Sequence, residues 1–560
     1  MNKKISYKVT VDLRKPETHR ALVTLEASND DLPPLLQFPV WTPGSYLVRD
    51  YSRHVTLLEP ADKISKNEWR VRGKPRKVSY EVYCFERTVR TSFLDERYCA
   101  LVGATLLPVL HAPFSVELLL PKSWPILSSA LKFRKKGPGR FVCIVENEDD
   151  WIDKPIVACA PGFGGVGRFR TRGITHHIAW VGSECARPMK ELQSSFEKIA
   201  NATVKMFGNA PFKEYWFLLH FGQKMYGGLE HRDSQLSQFD GAALRETADW
   251  NRFIKLVAHE YFHSWNVKSL RPQALGPFDY FKENYTQDIW FSEGLTDYFD
   301  DIIPLAAGIY SQKDHDKARL KDISLFPDGH PGHFRRSLAE SSFDAWIRYY
   351  RSDEDSINTD VSYYGKGAVL GWCWDAHLRK HSKGKWSLAR LMREFYRHFG
   401  IDAYESLKTA KPGFTRDALL KFAEEETGIP QRRLIDSWVT CRKPLPWRAA
   451  AHFFNLKFSE NVITPGLHFL GLNTTWLGRG IITSVLSGSA AEEAGLAPQD
   501  EVLAVNGVRV TEADKFALTL KSALREGREI ELLVSRMDRV LTRQVRWRKH
   551  EGMGVDLSPL

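Results

Sequence analysis

The chain has 560 residues, more than one hydrophobic core serves, so about two to four domains are expected. Hydrophobic residues make up 43% and charged residues 26%, the balance of a globular protein rather than a disordered or fibrous one. The net charge of +11 comes from 79 basic against 68 acidic residues without a dense basic block, which argues against a nucleic-acid partner.

Seven scattered cysteines, an odd number with no C-x-x-C pair, point to buried thiols in a reducing compartment. No apolar leader follows "MNKK", and no apolar run is long enough to span a bilayer. A cytoplasmic location without a membrane partner is the expectation.

In chain order, residues 1–165 read as a β domain. "ISYKVTVDL", "RALVTLEAS", "KVSYEVYCF" and "FSVELLLP" are strand-like runs, split by turn clusters such as "SNDDLPP" and "WTPGS". Residues 166–450 read as a mixed domain. "ARPMKELQSSFEKIANATVKMFG" has helical spacing, "EYWFLLHF" is a buried strand, and helical segments follow, among them "KGAVLGWCWDAHLRK" and "TRDALLKFAEEETG". "RKPLPWRAAA" marks the exit from this block. Residues 465–550 return to short strands around one helical stretch, "DKFALTLKSALREG".

The chemistry concentrates in "KLVAHEYFHSWNVKSLRP", Lys255–Pro272. On a helix, His259 and His263 lie one turn apart on one face and aim two imidazoles at one point. Zinc takes imidazole nitrogen at about 2.0–2.1 Å, so this spacing makes half of a tetrahedral site. Glu260 is about 100° round the helix, where it reaches a water at the metal as general base, the H-E-x-x-H arrangement. A third ligand is then required. Asn266 and Ser269 stand where the H-x-x-G-x-x-H extension needs Gly and His, so a carboxylate further on is expected. Glu293 in "WFSEGLTDYF" is favoured; Glu283 and Asp288 compete from less apolar, less helical surroundings. Asp297, one turn past Glu293, is placed to accept a hydrogen bond from a ligand imidazole.

Two further stretches fit this centre. In "KMYGGLEHRDS", Gly227 and Gly228 permit close backbone approach at a strand edge, and Glu230 stands where it can meet a positive charge. In "SYYGKGAVLGW", Tyr363 and Tyr364 precede a helix, where a hydroxyl near zinc can stabilise an oxyanion.

Taken together, "FPVWTPGSYLVRDYSRHV", "GGLEH", "HEYFHSWNVKSLRP", "WFSEGLTDYF" and "SFDAWIRYYRSDEDSINTDVSYYGKGA" resemble, in order, the glycyl aminopeptidase family of zinc gluzincin peptidases, related to aminopeptidase N-like enzymes and often ending in a PDZ domain. The resemblance covers nearly the whole chain. It implies a multidomain α+β protein: an N-terminal β-sandwich, a thermolysin-like catalytic domain with a helical C-terminal half, and a PDZ domain. It implies one zinc per chain on His259, His263 and Glu293, with Glu260 as base and Tyr364, in the Y-x-K-G pattern, as oxyanion donor. Glu230 would hold the free α-amino group of a peptide, although Leu229 and His231 replace the Met and Asn of the related G-x-M-E-N motif. The family's name implies removal of N-terminal glycine or alanine. An endopeptidase, or a PDZ-led binding scaffold with a structural metal, are the rival readings. "HFLGLN" resembles a PDZ carboxylate loop, with the N–H groups around Leu470, Gly471 and Leu472 receiving the C-terminus of a peptide partner.

Overall fold

The computed structural model describes residues 5–28, 31–325, 329–400, 413–459, 466–549 and 556–559. They form two compact units, Met1–Thr286 with Phe299–Ser311 and Met392–Thr415, and Gln287–Tyr298 with Gln312–Leu391 and Arg416–Leu560.

The first unit opens with the predicted alternation. In Arg20–Ala27 the residues Ala21, Val23, Leu25 and Ala27 are buried and their neighbours face outward, the period-two pattern of a strand with one wet face. This strand lies in a seven-stranded sheet, where Tyr7–Asp12 runs antiparallel to it and parallel to Phe114–Leu119. A second sheet orders Ile126–Ser129, Ile156–Cys159, Tyr98–Leu101 and Phe93–Leu94. Val9, Val23, Val116, Cys99, Leu101 and Val157, drawn from both sheets, belong to one core. This is the expected sandwich.

A five-stranded sheet follows, in the order Gly164–Thr171, Ile174–Gly182, Glu214–Phe221, Ser234–Phe239, Tyr226–Glu230. Glu214–Phe221 ("EYWFLLHF") is central and parallel to both neighbours, which is why it is a near-continuous apolar run. Tyr226–Glu230 is the edge strand, paired on one side to Ser234–Phe239 with Glu230 opposite Gln235. The helix Thr247–Phe262 packs on these last two strands.

The second unit is helical before its last domain. A π turn, Trp290–Gly294, opens the helical run that continues as Leu295–Ala306. The helix Gly365–His381 crosses that turn at two glycines. A Cβ on Gly294 would stand 2.6 Å from the Cα of Gly367, and one on Gly367 would stand 2.7 Å from the Cα of Gly294. Trp447–Phe453 then packs back on Gly365–His381, with Phe454 stacked on Trp372 at 5.7 Å. The last helix of this block begins at Trp447, within "RKPLPWRAAA".

The final domain orders Leu472–Trp476, Gly480–Val485, Glu501–Val505, Glu529–Arg536 and Arg539–Arg546, with Val508–Arg509 beside Glu501–Val505 and the helix Ala513–Glu526 over a core of Leu472, Ile482, Val505, Phe516, Leu520 and Ile530. Asn358 holds it to the helical block: its Nδ2 donates to the Val485 carbonyl (2.9 Å) and its Oδ1 accepts from the Ser487 N–H (2.9 Å). No helix among the described residues is long and apolar enough to cross a membrane.

The glycine crossing generates a prediction. Gly367→Ala adds one methyl where backbone already fills the space, so unfolding free energy should fall by about 1–3 kcal/mol. The check is the urea midpoint at constant slope; an unmoved midpoint would show that the two segments separate freely.

Candidate active site

Helix Thr247–Phe262 buries Phe253, Ile254, Val257, Ala258, Tyr261 and Phe262. His263 follows at φ −60°, ψ −20°, and its N–H donates to the His259 carbonyl at 3.3 Å, so the helical relation between the two is kept. The two rings lie 4.7 Å apart, nearly perpendicular. The His259 Nδ1 is 2.9 Å from Asp300 Oδ2, and the His263 Nδ1 is 2.7 Å from the Asn266 carbonyl oxygen. Both partners accept, so each Nδ1 carries the proton and each Nε2 keeps its lone pair.

The acceptor shown here for His259 Nδ1 is Asp300, which the sequence did not single out; Asp297, half-buried, lies three positions earlier on the same helix. Asp300 is 1% exposed and its charge is answered by Lys255 Nζ at 3.1 Å.

Glu260 is buried against the edge strand. A Cβ on Gly228 would stand 1.9 Å from Glu260 Oε1, so the close approach that Gly228 permits is that of Glu260. Gly227 has φ +148°, and a Cβ there would meet Arg90 Nη1 at 3.8 Å and Val89 Cγ2 at 3.9 Å, ordinary van der Waals contacts. Glu230, at the end of the same strand, is 3% exposed. Its Oε2 rests on Gly44 of the "WTPGS" turn, where a Cβ would stand 2.4 Å away, and its Oε1 has no hydrogen-bond partner. Glu230, Glu260 and His263 offer oxygen and nitrogen atoms within 4.8 Å of one another.

Residues unremarked in the sequence complete this side. Asp153 accepts from Lys268 Nζ (2.8 Å), the Arg232 N–H (2.8 Å) and His231 Nδ1 (3.3 Å). Burial raises the Asp153 pKa, but Lys268 and His231 outweigh it and hold the carboxyl well below its usual range. Burial likewise opposes the Lys268 charge, and Asp153 and Glu230 restore it, so that its pKa is raised. Between Asn266 and Lys268 the backbone turns sharply, with Val267 at φ +129°. Lys268 and Arg271 stand within the H-E-x-x-H stretch, but only the fold shows which carboxylates they face. A narrow cleft lined by Trp41, Gly44, Glu230, Lys268, Arg271 and Phe278 opens here.

The second unit carries the remaining predicted residues. Glu293 is 1% exposed. Tyr364 caps the helix Gly365–His381 and is half-buried, while Tyr363 is fully buried; both pack on Tyr349, at 5.0 and 4.7 Å. Burial, then the charge of Glu293, pushes the Tyr364 hydroxyl pKa well above its ordinary value, so it remains a donor. In the final domain, Leu470 and Leu472 are core residues. The Gly471 N–H, expected to meet a carboxylate, is engaged by the Gly466 and Leu467 carbonyls at 2.9 and 3.1 Å, and a ligand there has to displace that bond.

Comparison with known proteins finds likenesses along most of the chain. Residues 252–370 match the family model of the M61 glycyl aminopeptidase, residues 8–160 that of the peptidase M61 N-terminal domain, and residues 481–536 that of a PDZ domain. No curated protein matches the chain. An aminopeptidase N family protein from Idiomarina loihiensis is similar in structure at a TM-score of 0.89 and 27% identity, over 99% of this chain and 98% of that one. An M1 zinc metallopeptidase from Deinococcus radiodurans is more distant, at a TM-score of 0.48 and 13% identity, over 80% of this chain and 95% of that one. The three family matches and the full-length likeness place the chain among the peptidases of the M61 glycyl aminopeptidase family, with a PDZ domain towards its C-terminal end.

Proposed function

We propose that the protein is a zinc-dependent aminopeptidase that removes small first residues, glycine and alanine foremost, from peptides with a free N-terminus. The observation that carries this reading is the convergence of Glu230, Glu260 and His263, one carboxylate oxygen of Glu230 being buried without a partner. Two imidazoles whose Nδ1 protons are held by acceptors, leaving Nε2 as the lone-pair nitrogen, suit zinc. Glu293, buried on the helical run that also carries Asp300, is the third ligand in this reading. A single zinc per chain on His259, His263 and Glu293 would polarise the scissile carbonyl and acidify water.

The chain's own residues do the rest. Glu260, accommodated over Gly228, takes a proton from the attacking water and passes it to the leaving amine. Tyr364 donates its hydroxyl proton to the developing oxyanion. Glu230 receives the substrate's ammonium group in a charge-assisted hydrogen bond. That contact sets the register, with the first peptide bond over the metal and the substrate backbone along the free edge at Gly227 and Gly228. The PDZ domain takes a second peptide segment.

Three outcomes are expected. Purified protein should carry about one zinc per chain, and His263→Ala should lose it by elemental analysis; full occupancy in that variant would mean other ligands hold the metal. Glu260→Gln should keep zinc while turnover of an alanyl amide falls by about 10²–10⁴-fold; retained turnover would remove Glu260 from the mechanism. N-acetylation of the substrate should abolish cleavage, and Glu230→Ala should raise KM, lower kcat and narrow the gap between free and acetylated substrates. Internal cleavage of acetylated peptides at the rate of free ones would make the enzyme an endopeptidase.

A further inference from the structure

The cleft beside Glu230 holds two cationic side chains in different states. Lys268 is paired with Asp153 at 2.8 Å. Arg271 has no such partner. Its guanidinium has no hydrogen-bond acceptor among the described residues, and its Nε is buried without one. Its Cζ lies 5.4 Å from the centroid of the Phe278 ring, and a Cβ on Gly276 would stand 2.3 Å from Nη2. Asp149 is the carboxylate that partly offsets its burial, but Asp149 accepts the Tyr280 hydroxyl instead. A half-buried guanidinium left without an acceptor is costly, and a bound carboxylate repairs that deficit with a two-point, charge-assisted contact.

The same cleft therefore presents one carboxylate oxygen without a donor, on Glu230, and one guanidinium without an acceptor, on Arg271. A residue that satisfies both brings an ammonium and a carboxylate together. In a peptide's first residue the α-carboxyl is already in the peptide bond, so the second charge has to come from an acidic side chain. We infer that Arg271 is a specificity-determining residue that admits aspartate or glutamate as the first residue, alongside glycine and alanine. This rests on the aminopeptidase reading and assigns Glu230 the same role. Trp41, Val267, Leu275 and Phe278 wall the cleft.

The test compares isosteres on zinc-loaded, full-length protein. Turnover of Asp against Asn p-nitroanilide, and of Glu against Gln, should favour at least one acid by about tenfold or more in kcat/KM, the worth of one hydrogen bond between charged groups. In Arg271→Met the preference should fall to about unity, and in Arg271→Lys to an intermediate value, because the ammonium keeps charge but loses the planar fork. Calorimetry with the Glu260→Gln protein gives a readout independent of turnover: L-aspartic acid α-amide should bind about tenfold tighter than L-asparagine α-amide. Equal kcat/KM within each acid–amide pair on the wild type, with alanyl amide cleaved normally, would overturn the role of Arg271 alone. A selective preference for the aspartic acid amide in calorimetry, with no alanyl amide cleaved, would uphold Arg271 and overturn the aminopeptidase reading. An acid preference that survives Arg271→Met would also sink the assignment.

Discussion

An imidazole can offer Nε2 to a metal only while its proton is kept on Nδ1, and the first unit holds the protons of His259 and His263 there. Each Nδ1 proton is given an acceptor that cannot exchange roles. For His263 the acceptor is a carbonyl three residues ahead, so the chain has to double back at once. Val267 takes up the turn at φ +129°, a conformation that a β-branched residue adopts at a cost of about 1–3 kcal/mol. The same turn delivers Lys268 to Asp153. For His259 the acceptor is Asp300, whose own charge is balanced by Lys255, one turn before His259 on the same helix. Tautomer, backbone strain and ion pairing are thus consequences of one geometric demand.

The carboxylates obey a complementary logic. Three of them, Glu230, Glu260 and Asp153, are drawn into a small volume in which each would repel the others. Asp153 is neutralised by Lys268 and His231 and serves as scaffold. Glu260 and Glu230 are held in place by steric fit, against glycines whose missing Cβ atoms leave room for a carboxylate. The glycines sit where chemistry requires a negative charge to approach backbone, which hydrogen-bonded side chains would otherwise fill.

Much of this was legible because it is local. The alternation in Arg20–Ala27, the apolar run of Glu214–Phe221 and the four-residue spacing of His259 and His263 each describe one element in isolation. Helical spacing drew attention to Asp297 and passed over Asp300, which meets His259 from 41 positions away along the chain. The glycine pair was readable as a place of close approach, but the chain that approaches Gly228 comes from the H-E-x-x-H helix. What was not legible depends on distance along the chain. Asp153 meets Lys268 across 115 positions, and Gly44 meets Glu230 from another domain. Neither "WTPGS" nor "WIDKP" carries a pattern that names its partner.

The attachment of the PDZ domain has a consequence for how such a protein can diverge. Asn358 grips that domain through a carbonyl and an amide of its main chain, at Val485 and Ser487. A main-chain grip is indifferent to side-chain identity. The PDZ surface can therefore accumulate substitutions, and acquire new ligands, while its anchorage stays the same. For this pair of hydrogen bonds, the burden of constancy falls on Asn358, six positions before Tyr364.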